Sequence, residues 1–180
     1  MTYADILTFL RLILVPVFVA FFVLDKASAF WIFVVAGATD LIDGTIARLT
    51  KQVSQFGAFL DPIADKLLVN SCFACLVFAK QIVWWFWGLV LVRDVMILSG
   101  IYYLERTKKT FEYRAVWTSK FATFFQLTVA VLSLWIWKQG LSGIQAAPLV
   151  IMPALIGITT LFLLLSGMQY VQLGKKIVRK

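Results

Sequence analysis

Four aspartates are concentrated in one segment of the chain, ATDLIDGTIARLTKQVSQFGAFLDPIADK. They are Asp40, Asp43, Asp61 and Asp65, and the 180-residue chain has nine acidic residues in all. Four ionised carboxylates that converge in an apolar surrounding repel one another unless protons, basic side chains or metal ions compensate their charge. Carboxylate oxygens without His or Cys ligands favour a hard cation, Mg²⁺, Mn²⁺ or Ca²⁺, over zinc. Four carboxylates suit two such ions, an arrangement that clamps a phosphoryl group during in-line displacement.

The chain contains no histidine. This excludes catalysis by a histidine general base, a histidine-ligated zinc ion and a Ser-His-Asp triad. The carboxylates are therefore the candidate catalytic groups.

Both pairs of aspartates have helical spacing, because each residue of an α-helix advances by about 100°. The first stripe comprises Asp40, Asp43, Gly44 and Ala47, with Arg48 at its border. The second stripe comprises Gly57, Asp61 and Asp65. The linker between the two helices is short, so we expect them to be antiparallel neighbours whose carboxylate faces meet. The glycines permit the close approach of a helix or a ligand.

The elements that carry these stripes are predicted to be membrane-spanning helices. Apolar residues make up 62% of the chain and charged residues 14%, whereas a soluble domain has about half and about a quarter. The apolar residues form long blocks, and about 20 residues suffice for one span. Six spans are predicted, at about 6–25, 29–49, 57–80, 82–104, 118–137 and 147–168. We therefore expect an all-α integral membrane protein with a single domain over residues 1–180.

The distribution of Lys and Arg predicts the orientation of these spans. The basic residues on one side are Arg48, Lys51, Arg106, Lys108, Lys109, Arg114, Lys175, Lys176, Arg179 and Lys180. The other side has Lys26, Lys80 and Lys138. With six spans both termini share the more basic side, which is predicted to be cytoplasmic and to be attracted to anionic lipid headgroups.

The spacing D-x-x-D-G-x-x-A-R, eight residues, then G-x-x-x-D-x-x-x-D resembles the signature of the CDP-alcohol phosphotransferase family, at every fixed position. The resemblance implies a membrane enzyme, usually a homodimer, that transfers a phosphatidyl group from CDP-diacylglycerol to an alcohol and releases CMP. We further expect a bacterial cytoplasmic membrane with the active site facing the cytoplasm, and no nucleic-acid partner.

The resemblance assigns roles to the eight residues of the motif. It implies that Asp40, Asp43, Asp61 and Asp65 hold two divalent cations, Mg²⁺ or Mn²⁺. Asp61 and Asp65 are the catalytic candidates, with Asp65 as general base toward the acceptor hydroxyl. It implies that Gly44, Ala47, Arg48 and Gly57 line the cytidine diphosphate pocket.

The acceptor alcohol is not determined by this motif. The segments ILTFLRLILVP and TSKFATFFQ resemble both phosphatidylglycerophosphate synthases and eukaryotic-type cardiolipin synthases, VRDVMIL is closer to the second group, and LLLSGMQYVQLGKK is closer to the first. A glycerol-3-phosphate acceptor requires basic residues near the metals, and the candidates are Arg93, Lys120, Arg11 and Arg114. Glycerol-3-phosphate is therefore favoured over phosphatidylglycerol and over an inositol- or serine-type acceptor.

Three alternatives stay open. Arg93 lies beside Asp94 in the middle of a predicted span, so it either forms a structural ion pair or binds an anion. The aspartates could serve a divalent-cation transporter, although no second polar cluster and no inverted repeat supports such a path. A protein that keeps the fold but only binds lipid is the third alternative.

Overall fold

The computed structural model has six α-helices and, in the part of the chain that it describes, no β-strand. The backbone is described for residues 3–50, 55–107, 117–140 and 151–178, and the side chains for residues 9–39, 63–100, 102–103, 117–140 and 151–172. The helices are α1 (Tyr3–Leu24), α2 (Lys26–Thr50), α3 (Gln55–Phe78), α4 (Trp84–Thr107), α5 (Trp117–Lys138) and α6 (Ile151–Val178). The predicted all-α architecture is confirmed.

The last helix differs most from its predicted range. It begins at Ile151 and continues to Val178, whereas the apolar run predicted a span over 147–168. The end of an apolar run marks the end of the lipid-compatible segment. It does not end the helix, because Lys is a good helix former and is favourable near a helix C-terminus.

A single residue, Asp25, connects α1 and α2. Its backbone N–H donates to the Phe21 carbonyl, and its own carbonyl accepts from the Ala29 N–H. Its carboxylate accepts hydrogen bonds from the backbone of Ala27 and from both the backbone and the hydroxyl of Ser28. Asp25 thus acts as the N-cap of α2, which is why this helix begins at Lys26 rather than at residue 29.

The turn between α3 and α4 is closed by backbone hydrogen bonds from Lys80 to the Val77 carbonyl and from Gln81 to the Leu76 carbonyl. This is the Schellman arrangement, whose C′ residue adopts a left-handed conformation and is usually glycine. Lys80 occupies that position here with a φ of 56°. At the end of α5, the left-handed position with a φ of 74° is filled by Gly140.

The helices form one bundle around a common apolar core. α1 packs against α2 and α3, α5 packs against α6 and α2, and α4 packs against α3 and α6. Side chains that are fully buried in this core include Phe18 of α1, Phe73 and Leu76 of α3, Phe86 of α4 and Val129 of α5. The core therefore extends through the whole bundle and fixes where each helix presents its polar residues.

Aromatic rings and lysines meet where the C-terminus of α1 and the N-terminus of α2 contact the C-terminus of α5. We call this group the distal cluster, and it comprises Phe22, Lys26, Phe30, Trp31, Trp137 and Lys138. The Phe22 and Trp137 rings stack with centroids 3.9 Å apart. The Lys26 ammonium lies 5.1 Å from the centre of the Trp137 ring, and the Lys138 ammonium 5.0 Å from that of Phe30.

Two helical stretches in the described part of the chain are long and apolar enough to cross a bilayer, Trp117–Lys138 and Ile151–Gln172. Phe9–Leu24 and Lys26–Thr39 are apolar but shorter. The outside of the bundle also exposes large apolar side chains, among them Val23, Phe78 and Trp84. The six spans and the cytoplasmic termini stay predictions.

Candidate active site

The motif aspartates lie on the two helices that were predicted to carry them. Positions 40 and 43 are on α2 and positions 61 and 65 are on α3. The side chain of Asp65 is described, whereas those of Asp40, Asp43 and Asp61 lie outside the described side chains. The predicted nucleotide-pocket residues Gly44, Ala47, Arg48 and Gly57 lie outside them as well.

A cavity of about 520 Å³ lies beside the motif, between α2 and α3. Among the described residues, α2 and α3 touch each other only slightly, because α1 packs against both of them. The cavity is lined by residues from four helices: Arg11 of α1; Phe33, Ala36, Gly37 and Ala38 of α2; Asp65, Leu68 and Val69 of α3; and Phe124, Leu127, Thr128 and Val131 of α5. Its wall is therefore apolar apart from two charged residues, Arg11 and Asp65, and the hydroxyl of Thr128.

Small residues of α2 keep this cavity open. Gly37 lies in its wall, and a Cβ atom added there would meet no atom within 4 Å. On the opposite wall, α5 contributes the larger side chains Phe124 and Leu127. The result is a largely apolar space that Asp65 of the motif lines together with residues of α1, α2 and α5.

Asp65 is accessible from this cavity. Its side chain is 34% exposed, and its Oδ2 atom lies 3.9 Å from Nζ of Lys66. A half-exposed carboxylate with one long ion pair has oxygen lone pairs available to a ligand. This donor chemistry fits a hard divalent cation such as Mg²⁺ or Mn²⁺. Within the described side chains, no group of three metal-ligating residues occurs, and the predicted partners Asp40, Asp43 and Asp61 are outside them.

A buried polar network lies behind Asp65 and is centred on Asp94 of α4. Asp94 is 2% exposed and accepts hydrogen bonds from Arg93 NH1 at 2.8 Å and from Asn70 Nδ2 at 3.1 Å. The Lys66 ammonium forms an ion pair with the same carboxylate at 3.4 Å. Asn70 also donates to the Lys66 carbonyl at 2.9 Å, one turn earlier on α3. We call Lys66, Asn70, Arg93, Asp94 and Ser119 the Asp94 network.

Ser119 connects this network to α5 and α6. Arg93 NH2 donates to the Ser119 hydroxyl at 2.6 Å and to its carbonyl at 3.2 Å. The Tyr170 hydroxyl of α6 donates to the Ser119 hydroxyl oxygen at 3.3 Å. The network therefore ties the middle of α3 to α4 and α5 through charge-assisted hydrogen bonds, which are stronger than neutral ones. The neutral hydrogen bond from Tyr170 adds a link to α6.

The predicted acceptor-binding residues occupy different surroundings. Arg93 is 3% exposed and forms the ion pair with Asp94 that the sequence offered as its structural interpretation. Arg11 is buried and lines the same cavity as Asp65. Lys120 is exposed on α5 with its ammonium 5.3 Å from the centre of the Trp117 ring. Arg114 lies outside the described residues. Acceptor binding by these residues stays a prediction.

Sequence reasoning missed Asn70, Ser119 and Tyr170 as partners in the network. The signal for Asn70 was its position as a polar residue in the apolar run KLLVNSCF, one helical turn after Lys66. A polar side chain at such a position needs a hydrogen-bond partner. The identity of that partner depends on how α4 packs against α3, which residue spacing alone does not reveal.

The sequence profile of the CDP-alcohol phosphatidyltransferase family matches residues 1–165 of the chain, which includes the whole aspartate motif and α1 to α5. The chain belongs to this family. The resemblance that the motif predicted is thereby confirmed, and the family assignment favours an enzyme over the divalent-cation transporter.

Curated relatives of this CDP-alcohol phosphatidyltransferase include enzymes with more than one named acceptor. A probable phosphatidylglycerophosphate synthase of Mycobacterium tuberculosis is 34% identical over 177 residues, which cover 93% of this chain and 79% of the relative. A CDP-diacylglycerol–glycerol-3-phosphate 3-phosphatidyltransferase of Yersinia enterocolitica is 37% identical over 136 residues, 72% of this chain and 74% of the relative. A probable CMP-forming cardiolipin synthase of Drosophila melanogaster is 34% identical over 152 residues, 74% of this chain and 47% of the relative.

Proposed function

We propose that the protein transfers the phosphatidyl group of CDP-diacylglycerol to glycerol-3-phosphate, with phosphatidylglycerophosphate and CMP as products. The observation that carries this proposal is the apolar cavity that begins at Asp65 and Arg11. A substrate with a charged diphosphate headgroup and acyl chains fits a space that is charged at one place and apolar elsewhere. Its volume lies within the range of ligand pockets, about 300–1,000 Å³.

The aspartate motif supports a location for the reaction at the ends of α2 and α3 that carry it. Asp40, Asp43, Asp61 and Asp65 would hold two divalent cations, Mg²⁺ or Mn²⁺, and when bound these ions supply positive charge that stabilises the departing CMP. Gly44, Ala47, Arg48 and Gly57 would contact the cytidine diphosphate group. These assignments rest on the family motif and on the availability of the Asp65 oxygens.

In the proposed reaction the acceptor hydroxyl oxygen attacks the phosphorus atom of the phosphatidyl group. A bond forms between this oxygen and phosphorus, and the bond from phosphorus to the CMP oxygen breaks, with its electron pair leaving on CMP. Asp65 accepts the hydroxyl proton, a role open to a carboxylate within hydrogen-bond distance of the reacting group.

Among the acceptor-binding candidates we favour Arg11, because it lines the same cavity as Asp65. A guanidinium can bind two phosphate oxygens at once, which suits the dianionic phosphate of glycerol-3-phosphate. Arg93, Lys120 and Arg114 remain further candidates. Arg93 would have to bind the acceptor phosphate while it is paired with Asp94.

The setting that we propose follows from the family and the charge distribution. The family match over residues 1–165 supports one catalytic domain over the whole chain. The excess of basic residues on one side supports an enzyme of a bacterial cytoplasmic membrane whose active site faces the cytoplasm. We further propose that it acts as a homodimer, as the family resemblance implies.

The test is an acceptor comparison with purified protein, CDP-diacylglycerol and Mn²⁺ or Mg²⁺. We expect CMP release with glycerol-3-phosphate and a labelled lipid product on thin-layer chromatography. Asp65→Asn is expected to lower the rate at least about a thousandfold at unchanged folding, because it removes a proton acceptor and a metal ligand. Release of CMP with phosphatidylglycerol but not with glycerol-3-phosphate would refute the acceptor and leave the cardiolipin-type reaction, which the Drosophila relative supports.

A further inference from the structure

Lys66 lies between two carboxylates of different kinds. Its ammonium is 3.4 Å from Oδ1 of Asp94, which is buried, and 3.9 Å from Oδ2 of Asp65, which is accessible from the cavity. Asp65 belongs to the motif, whereas Asp94 lies on α4 and outside it. The ammonium is therefore closer to the buried carboxylate than to the motif carboxylate.

Arg93 and Lys66 both interact with the carboxylate of Asp94. Asp94 is shared by two cations, Arg93 and Lys66, so these three groups carry one excess positive charge. Among the described side chains, the other carboxylate within 4 Å of the Lys66 ammonium is Asp65, which therefore faces this excess positive charge. In a poorly solvated setting the attraction between unit charges rises steeply as they approach. If Asp94 lost its charge, the ammonium would therefore move onto Asp65.

An ammonium paired tightly with Asp65 would oppose metal binding in two ways. It would occupy the carboxylate oxygens that a divalent cation needs, and its positive charge would repel the cation. Asn70 helps to prevent this, because it donates both to Asp94 and to the Lys66 carbonyl and so fixes the Asp94 carboxylate relative to α3.

We propose that Asp94 is a positioning residue that holds the Lys66 ammonium away from Asp65 and thereby keeps the Asp65 oxygens available to a divalent cation. The proposal rests on the metal-binding role of Asp65 in the proposed function. It assigns a purpose to the buried network on α4 that the motif itself does not contain.

The test is direct Mn²⁺ binding to the purified full chain without donor or acceptor, followed through the electron paramagnetic resonance signal of the free ion. Asp94→Asn is expected to weaken Mn²⁺ binding about tenfold or more, a typical effect of residues that orient metal ligands. Lys66→Met is expected to strengthen it severalfold, because the competing cation is gone. The double variant is expected to bind like Lys66→Met, because Asp94 acts through Lys66.

Matched controls separate this effect from a general change of charge or stability. Lys138→Met removes an equal charge in the distal cluster, and Asp25→Asn neutralises a carboxylate in the turn between α1 and α2. Both are expected to leave the Mn²⁺ affinity within about twofold of wild type, because charges beyond a Debye length of about 8 Å are largely screened.

The proposal is supported if the Mn²⁺ affinity falls in Asp94→Asn, rises in Lys66→Met, and rises in the double variant as in Lys66→Met. Equal-signed shifts, or a double variant as weak as Asp94→Asn, overturn it, since a merely structural role of Asp94 would not be rescued by removing Lys66. If Asp94→Asn does not fold, Lys66→Met decides alone, and unchanged or weaker Mn²⁺ binding overturns the proposal. Because no acceptor is present, the wrong acceptor in the CMP-release assay would refute the proposed function without affecting this result.

Discussion

The Asp94 network and the distal cluster both hold lysines in an apolar bundle, but by different means. In the network, Lys66 faces carboxylates and is part of a set of buried hydrogen bonds. In the distal cluster, Lys26 and Lys138 lie over aromatic rings at the edge of the bundle. Buried charges demand specific partners, because an unpaired charge away from water is very costly. An ammonium over a ring keeps contact with water and tolerates change.

The two groups of residues differ in how precisely they position a charge. The network fixes the position of an ammonium relative to a motif carboxylate through contacts among α3, α4 and α5. The distal cluster joins α1, α2 and α5 through stacked rings and needs no exact placement of its charges. We therefore expect substitutions in the network to affect both stability and function, and those in the distal cluster to affect stability alone.

The largest effect is expected for Asp94→Ala. It leaves Arg93 and Lys66 buried without their shared carboxylate, and removing one partner of a buried ion pair costs about 3–5 kcal/mol. For a chain of this length this corresponds to a loss of about 10 °C in melting temperature. Thermal unfolding in detergent, followed by the monodisperse fraction that remains, measures it.

The matched control is Asp25→Ala, which removes an exposed carboxylate. Hydrogen bonds from the hydroxyl and backbone of Ser28 lower the pKa of Asp25, with a smaller contribution from Lys138. A carboxyl whose pKa is lower in the folded state stabilises the fold above its unfolded value and loses this contribution as the pH falls. The small difference between wild type and Asp25→Ala at pH 7 should therefore disappear below pH 3.8. A loss of melting temperature as large as that of Asp94→Ala would contradict the expected difference between a buried and an exposed carboxylate.

An intermediate effect is expected for Lys26→Ala and Lys138→Ala. Each removes an ammonium from an aromatic ring at about 5 Å, an interaction worth about 0.5–1 kcal/mol at an exposed site. Both variants should keep the wild-type rate of CMP release. If either abolished activity at unchanged stability, the distal cluster would have a function beyond joining helices.

Effects of similar size but of opposite sign are expected in the two turns with a left-handed residue. Lys80 has a left-handed backbone conformation that costs a side-chain-bearing residue about 1 kcal/mol, so Lys80→Gly is expected to raise the free energy of unfolding by about 0.5–1 kcal/mol. Gly140→Ala, at the corresponding position after α5, is expected to lower it by about 1 kcal/mol. Chemical denaturation of both variants measures the pair, and equal signs would contradict the role of the backbone conformation.

The number and order of the helices were predictable from the sequence, because long apolar runs leave few alternatives. The positions of the aspartates on α2 and α3 were predictable for the same reason. The extension of α6 to Val178 was not, since apolarity ends before helicity does. The start of α2 at Lys26 depends on the capping carboxylate of Asp25, for which the spacing D-x-x-S was a signal.

The site was predictable in its residue types and less so in its partners. The sequence placed Arg93 beside Asp94 and so offered their ion pair, which the structure contains. It did not indicate that Lys66 shares Asp94, because that contact joins α3 to α4. In the described residues α1 packs against both α2 and α3, and a cavity lies between them. The predicted meeting of their carboxylate faces involves side chains outside those described and stays a prediction. Contacts between helices depend on their rotation and separation, which residue patterns constrain only weakly.

The single-residue connection at Asp25 affects the rotation of α2 about its own axis. With no loop to absorb a change, α2 takes its rotation directly from α1. If the turn kept its hydrogen bonds, one residue inserted after Asp25 would displace α2 by one position, which within a helix corresponds to about 100° of rotation and about 1.5 Å along the axis. Gly37 and Ala38 would then leave the cavity wall, and positions 40 and 43 would turn with them. The tight connection thus restricts the rotation of α2, which begins the aspartate motif, relative to α1, which carries Arg11.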